Sequence, residues 1–141
     1  MVANASDYLE QNAMDHFFNK VTLVVPNTWV ALFTADPGDD DTGTEVTQGG
    51  AYARIKVNPN GSASGTWALA AVQGTGYRVD NGADITWATA SDNWGTVVSV
   101  GIYDASTAGN LLFYGALTAS KAVNTDDVFK FPLGALDIDM I

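Results

Sequence analysis

The feature that most constrains this chain is the pattern from Val21 to the end, where short apolar runs alternate with Gly, Asn, Asp and Pro. This punctuation is typical of an all-β domain, because each group of turn residues ends a strand after a few positions. We predict about ten strands, at Leu23–Val25, Trp29–Thr34, Tyr52–Val57, Thr66–Val72, Tyr77–Val79, Ala83–Trp87, Thr96–Tyr103, Leu111–Leu117, Val128–Phe131 and Leu136–Met140. Many antiparallel strands with little helix predict an antiparallel β-sandwich, with a jelly-roll-like topology.

The apolar patterns also predict which strands are central. The runs VVSVGIY and NLLFYGAL are apolar on both faces, which indicates strands covered from both sides. The turn sequence DASTAG between them predicts a hairpin. The run AYARIKV alternates instead, which predicts that Tyr52, Arg54 and Lys56 face solvent.

A short helix is predicted before the first strand. Ser6 or Asp7 can cap it, Glu10 stands three residues after Asp7, and the helix is expected to end at Asn19. Its apolar positions recur at spacings of three and four and share one face, with Tyr8, Leu9, Ala13, Met14 and Phe17 among them. We therefore divide the chain into an N-terminal helical segment at 1–20 and a β-sandwich at 21–141, which together form a single domain of 141 residues.

The charge balance excludes several classes of partner. Six Lys and Arg stand against sixteen Asp and Glu, which gives a formal net charge of −10. Such a chain repels phosphate backbones and anionic lipid, so we expect no nucleic-acid and no membrane partner. The N-terminus lacks the basic and apolar regions of a signal peptide, and the sequence contains no cysteine for disulfides or thiolate chemistry.

The residues that catalysis requires are scarce in this sequence. His16 is the single histidine, and no serine lies in a G-x-S-x-G elbow that could pair with it. The many aspartates offer no spacing that brings two carboxylates to a glycosidic bond. We therefore expect a protein that is not an enzyme and that binds no cofactor.

An acidic loop, residues 36–41, follows the second predicted strand. Asp39 and Asp41, with Glu45 beyond them, supply oxygen atoms that could hold calcium, although their spacing differs from that of an EF-hand loop. The alternative is a solvated turn in which the Pro-Gly pair sets the bend. We favour the solvated turn and expect no metal.

Four tryptophans, Trp29, Trp67, Trp87 and Trp94, could form a platform for carbohydrate. Trp29 and Trp87 lie in alternating strands, where burial in the core explains them. We favour burial in a core or a subunit interface over a sugar site.

Three segments carry a resemblance to known proteins: WVALFTADPG, GGAYARIKV and ADITWATASDNWGTVVSVGIYDASTAGNLLFYGALTASKAVNTDDVFKFPLGALDI. Together they resemble a family of small tailed-bacteriophage virion proteins, commonly labelled tail-fibre-like. The blocks GNLLFYGALT and FPLGAL follow the upstream segments in the family's order. The resemblance covers most of the chain, and residues 58–76 are its least recognisable part.

The resemblance implies a non-enzymatic structural protein of the phage virion, made in the cytoplasm of the host bacterium. Because the chain is short for a fibre with a shaft and a tip, we expect a capsid decoration (cement) protein that stabilises the head by bridging capsid subunits. The alternative is a tail-fibre or tail-tip protein that contributes to binding of the host receptor.

The expected partners are the major capsid protein or tail proteins, together with further copies of the chain in a trimer or dimer. Tyr8, Leu9 and Phe17 on the predicted helix are the candidate contacts. The alternative is that this helix closes one end of the sandwich core.

Overall fold

A computed structural model describes residues 2–23, 27–47, 49–58 and 67–140 of the chain. One α-helix and eleven β-strands lie in these residues. In chain order they are β1 (Val2–Ala5), α1 (Asp7–Asn19), β2 (Thr28–Ala35), β3 (Thr44–Glu45), β4 (Ile55–Val57), β5 (Ala71–Gln73), β6 (Gly76–Asp80), β7 (Ile85–Thr86), β8 (Gly95–Tyr103), β9 (Leu111–Val123), β10 (Lys130–Phe131) and β11 (Asp137–Met140). The prediction of an all-β protein with a short N-terminal helix is confirmed.

The strands form one large sheet and one small sheet. The large sheet has the order β3-β2-β8-β9-β1-β11-β6-β5, with β4 also paired to β2, and the small sheet consists of β7 and β10. β1 and β11 run parallel, and the other strand pairs of the described residues are antiparallel. A jelly-roll topology is not confirmed by this order, because a jelly roll divides its eight strands between two packed sheets.

The main core lies between the large sheet and the small sheet. Val30 and Leu32 of β2 lie on the same side of the large sheet and belong to one buried cluster with Ile85 of β7 and Phe131 of β10. Trp87 packs edge to face against this layer, with its ring centroid 6.0 Å from that of Phe131. The small sheet therefore covers one face of the large sheet, as the second layer of a sandwich does.

The opposite face of the large sheet carries a second buried cluster. It contains Phe33 of β2, Tyr103 of β8 and Leu111 of β9. A Cβ at Gly101 would lie 2.9 Å from both the Phe33 ring and the Leu111 side chain, so a glycine leaves room for them. Strands β8 and β9 are central, and β8 from Val97 onward and the first five residues of β9 are buried or half-buried on both sides, whereas most of the second half of β9 is exposed.

The predicted hairpin and the longest strands are confirmed, but two short strands are additional. DASTAG joins β8 to β9, and a carboxylate oxygen of Asp104 accepts a hydrogen bond from the backbone N–H of Asn110 at 2.7 Å. β1 and β3 were not predicted, and β1 belongs to the large sheet although it lies in the segment assigned to helix. The predicted strand at Leu23–Val25 falls largely outside the described residues, and Leu23 itself is not in a strand.

The helix begins and ends where the sequence predicted. Ser6 is the N-cap, and its Oγ accepts a hydrogen bond from the Leu9 N–H at 3.3 Å. Lys20 follows the helix in the left-handed conformation, and the Val21 N–H donates to the Asp15 carbonyl at 3.2 Å. α1 is too short and too polar to span a bilayer, and no other helix lies in the described residues.

The alternation predicted for AYARIKV is wrong at its first half. Only Ile55–Val57 form a strand. Tyr52 lies at the end of a turn, in which its N–H donates to the Gly49 carbonyl at 2.8 Å. In this turn Tyr52 is buried and Ala53 is exposed, the reverse of the expected pattern. The Arg54 side chain is 5% exposed and points into the protein.

Candidate assembly surfaces

The acidic loop is tied to the large sheet by three of its aspartates. The Asp36 carboxylate accepts from Ser99 Oγ at 2.7 Å. Tyr114 and Tyr103 each donate a hydroxyl hydrogen bond to the loop, to Asp39 and Asp41 respectively. The loop is therefore a structural clamp across β8 and β9, and not only a solvated turn.

The two tyrosines of this clamp are held in their neutral, donating form. The hydrogen bond with Asp39 raises the pKa of Tyr114 to about 12. Burial raises the pKa of Tyr103, and the hydrogen bond with Asp41 adds to the effect. Both hydroxyls consequently remain protonated donors at neutral pH.

The three carboxylates considered for calcium have separate protein donors. Asp39 and Asp41 accept from two different tyrosines, and Glu45 accepts from Arg54. Among the described residues, no group of three or more His, Cys, Asp or Glu side chains is arranged to hold a metal ion. The expectation that these residues hold no metal, with calcium as its alternative, stays a sequence-based prediction.

Arg54, which the sequence pattern predicted to face solvent, is buried and contacts several parts of the protein. We call it a hub for this reason. Its guanidinium pairs with both Glu45 oxygens, at 2.9 and 2.8 Å, and donates to the carbonyls of Ala105 and Ala108 at 3.0 and 2.8 Å. The guanidinium carbon also lies 3.6 Å from the centre of the Tyr103 ring. One buried cation therefore joins β3, the β8–β9 hairpin loop and the second core cluster.

The base of α1 is fixed to the sheet and to the acidic loop. The Ser6 N–H donates to the Leu112 carbonyl at 2.9 Å, and Ser6 Oγ donates to the Leu111 carbonyl. The Asp7 N–H donates to the Asp39 carbonyl at 3.1 Å. The first turn is anchored in this way.

Beyond its first turn, α1 exposes an apolar stripe, which we define as Met14, Phe17, Phe18 and the adjoining Val21. Met14, Phe17 and Phe18 are 60%, 77% and 74% exposed, and none of the thirteen residues of α1 is buried. Positions 14, 17 and 18 share a helix face, because residues three and four apart are neighbours. Large apolar side chains grouped at this exposure form a candidate interaction surface.

The structure separates the three predicted contact residues. Phe17 lies in the apolar stripe, whereas Tyr8 and Leu9 lie in the anchored first turn. Leu9 is half-buried and Tyr8 is 40% exposed. His16 closes the other end of the helix, with its Nδ1 3.0 Å from the Val21 carbonyl oxygen and 3.3 Å from the Leu23 N.

A second apolar surface lies near the β5 edge of the large sheet. Val72, Tyr77 and Met140 occupy directly opposite positions on β5, β6 and β11 and are 71%, 58% and 71% exposed. We call these three residues the apolar row. They point to the same face of the sheet, because directly opposed residues share a face.

The other face of these strands carries a network of charged side chains. Arg78 pairs with Asp139 at 2.6 Å and with Asp137 at 3.0 Å. Asp80 lies directly opposite Asp137, and burial followed by a hydrogen bond with the Asp137 carboxyl raises its pKa. These carboxyl groups and the arginine therefore form one charged network on this face of the sheet.

The four tryptophans are placed in or beside the cores. Trp87 and Trp94 are buried, and the Trp94 indole N–H donates to the Gly50 carbonyl at 2.9 Å. Trp67 is half-buried and donates to Thr28 Oγ1 at 2.8 Å, while the ammonium of Lys56 lies 5.7 Å from the centre of the half-buried Trp29 ring. The expected burial is confirmed for Trp87, which directly follows β7, whereas Trp29, for which burial was also expected, is only half-buried.

Comparison with known proteins identifies the family. Residues 4–139 match the family model described as podophage GP4 fiber I protein gp80. No curated protein matches the chain. The match confirms the resemblance to tail-fibre-like virion proteins, and its description names a fibre, so it supports the tail-fibre alternative better than the expected capsid decoration protein. The chain belongs to this family of podophage fibre proteins and is a structural protein of the phage virion.

Proposed function

We propose that this chain is a non-enzymatic structural subunit of a phage tail fibre, which contributes to contact between the virion and its host. The observation that carries the proposal is the family match over residues 4–139, whose description names a fibre protein. Capsid decoration, the function expected from the family resemblance, the short chain and the scarcity of catalytic residues, receives no support from this match.

The hydrogen bonds of several polar side chains to other parts of the protein support a structural role. The Glu45, Asp41 and Asp39 carboxylates each accept a hydrogen bond that fixes a loop or a strand. The single histidine, His16, contacts the backbone that follows α1. These four groups, which by residue type could act in catalysis, thus contribute to the stability of the fold.

The exposed surfaces support a role in assembly. The apolar stripe on α1 and the apolar row on the large sheet are two separate groups of exposed apolar side chains. In a virion, subunits of a fibre need contacts with one another and with the tail. Apolar surfaces of this kind serve such contacts, because burial removes them from water.

The proposal is tested on disrupted virions whose heads and tails are separated by density centrifugation. Quantitative mass spectrometry should find this chain with the tails, in far fewer copies than the major capsid protein. Virions assembled without the gene should adsorb poorly to host cells while their heads retain DNA normally. Recovery of the chain with heads, in numbers that match the capsid subunits, would contradict the proposal.

A further inference from the structure

We propose that a cavity between two loops of this protein binds one neutral sugar ring. The cavity, which we call the loop cavity, has a volume of about 260 Å³. It is lined by the turn at 49–52, by the segment before that turn and by the loop at 91–94. The inference rests on the proposed function and deepens it, because it gives a subunit that contacts the host a ligand class and a place to bind it.

The two loops that form the cavity are fixed to each other. The Gly50 carbonyl accepts from the Ser91 N–H at 3.0 Å and from the Trp94 indole N–H at 2.9 Å. The buried Trp94 ring also packs edge to face against Tyr52, with a centroid distance of 5.3 Å. A Cβ at Gly50 would lie 2.9 Å from the Asp92 Cβ, so a glycine permits this close approach. The cavity is therefore preformed, and a ligand does not have to order its walls on binding.

Three polar side chains line the cavity, and each has a group without a protein partner. Asp92 accepts from the Asn93 N–H at 2.8 Å with one carboxylate oxygen, and its other oxygen accepts no hydrogen bond from the described residues. The Asn93 carbonyl oxygen accepts from the Thr125 N–H at 3.0 Å, which fixes the orientation of the amide. In the described part of the chain, neither the Asn93 NH₂ group nor the Thr47 hydroxyl has a partner. The cavity thus offers an acceptor, a donor and a group that does both.

This set of groups favours a neutral ligand that is rich in hydroxyl groups. A sugar hydroxyl can donate to a carboxylate and accept from an amide at the same time. A metal ion is disfavoured, because Asp92 supplies the one carboxylate among the described residues that line the cavity. An anion is repelled by that carboxylate and by the net charge of −10. The buried Val46 and Trp94 supply apolar atoms to the lining, against which the C–H groups of a sugar ring can pack.

The size of the cavity limits the ligand to about one ring. Sites for drug-sized ligands have volumes of roughly 300–1,000 Å³. The loop cavity is smaller, at about 260 Å³, and Thr47, Gly49, Asp92 and Asn93 on its lining are exposed to solvent. One ring of a longer sugar chain therefore enters the cavity while the rest of that chain extends into solvent.

The test uses nuclear magnetic resonance of the ¹⁵N-labelled chain of 141 residues. The probes are the methyl α-glycosides of glucose, galactose and mannose, together with N-acetylglucosamine, each added at millimolar concentration. The reporter is the side-chain amide signal of Asn93, which is identified by its loss in Asn93→Asp. At least one of the four sugars should shift this signal to saturation.

Two variants and a control show whether the cavity residues hold the sugar. Asp92→Asn retains an acceptor for the Asn93 N–H but removes the free carboxylate oxygen, so the dissociation constant should rise about tenfold or more. Thr47→Val keeps the shape of the side chain and removes a neutral hydroxyl, which should raise the dissociation constant about two- to tenfold. The matched control Asp126→Asn makes the same change of charge at an exposed aspartate outside the cavity and should leave binding unchanged.

Failure of this inference is distinguishable from failure of the proposed function. The inference is overturned if none of the four sugars shifts the Asn93 signal, or if Asp126→Asn weakens binding as much as Asp92→Asn does. Recovery of the chain with the phage tails would still support the proposed function in that case. If a sugar binds as expected but the chain is recovered with the heads, the sugar site stands and its role in host contact fails.

Discussion

At the scale of single residues, the side chains that hold this protein together are charged groups that the local sequence pattern places in solvent. Arg54 follows a two-residue alternation that predicts exposure, but the turn at 49–52 reverses the pattern and directs the guanidinium inward. Its acceptors at Ala105 and Ala108 lie 51 and 54 residues away in the chain. No local pattern can predict a partner at that separation.

Removal of Arg54 should destabilise the protein strongly. Arg54→Ala leaves two loop carbonyls without this donor and leaves Glu45 with the Tyr52 hydroxyl but no cation, and loss of one partner of a buried ion pair costs about 3–5 kcal/mol. Urea unfolding followed by tryptophan fluorescence measures this cost. The control Lys56→Ala, two positions along at an exposed site, should change the free energy of unfolding by less than about 1 kcal/mol. Equal effects of the two variants would contradict the assignment of Arg54 as a hub.

Asp80 gives a prediction about pH. Its pKa is raised in the folded protein, so its stabilising contribution is full below the unfolded pKa and is lost as the pH rises through the folded pKa. Loss of the Asp80 proton beside Asp137 therefore carries a cost, which grows as the pH rises. Asp80→Asn should raise the midpoint of thermal unfolding at pH 7 by about 2 °C, and the difference should shrink towards pH 3. A variant less stable than wild type at pH 7 would contradict the direction of this shift.

At the scale of elements, the strongly patterned segments were predictable and the short connecting ones were not. The sequence places α1 through Ser6 and Asn19, and places β8 and β9 through their unbroken apolar runs. β1 and β3 have four and two residues, too few for a period to be recognised. The apolar row could be expected from alternation in β11, but its exposure depends on the strand order, which the sequence does not reveal.

The acidic loop is a further case in which the local sequence predicts the type of segment but not its contacts. Its acidic residues predict a solvated turn or a cation site, and the structure makes it a clamp, because Tyr103 and Tyr114 reach it from β8 and β9. Those tyrosines lie 62 and 75 residues from their aspartates. The clamp also anchors α1 through the backbone of Asp39.

Loss of the tyrosine hydroxyls should loosen the base of α1. Tyr114→Phe removes the hydrogen bond to Asp39, and hydrogen bonds to charged groups contribute about 1.5–3 kcal/mol. Since Tyr114 is only half-buried, we expect the lower end of this range. Hydrogen exchange of the Asp7 amide, which donates to the Asp39 carbonyl, should accelerate. Tyr77→Phe, an exposed tyrosine of the apolar row, is the matched control and should leave this amide unchanged.

At the scale of the whole molecule, the fold is a large sheet covered on one face by a small aromatic layer. Trp87, Phe129 and Phe131 pack edge to face at centroid distances of 5.3 to 6.0 Å. β7 and β10 have two residues each, so their backbone pairing alone contributes little. The aromatic side chains hold this layer in place.

Trp87→Ala should therefore destabilise the whole fold and not a local part of it. Truncation of a buried Trp costs about 3–5 kcal/mol, because it removes apolar burial and leaves a cavity. Unfolding followed by circular dichroism and by fluorescence should shift together to lower denaturant. The control Leu133→Ala, at an exposed loop position, should leave the transition in place. Separate transitions in the two signals would contradict a shared core.

The family resemblance indicated a virion structural protein from the sequence, but chain length pointed to the head and the family description names a fibre. Length is a weak guide here, because a short chain can build a fibre from several copies.

Cryo-electron microscopy of the intact virion tests the central proposal, a fibre subunit of the tail, most directly. The account predicts density that fits the large sheet and its small covering sheet at the tail, in the low copy number of a fibre. Density for this fold repeated over the capsid lattice, with none at the tail, would contradict it.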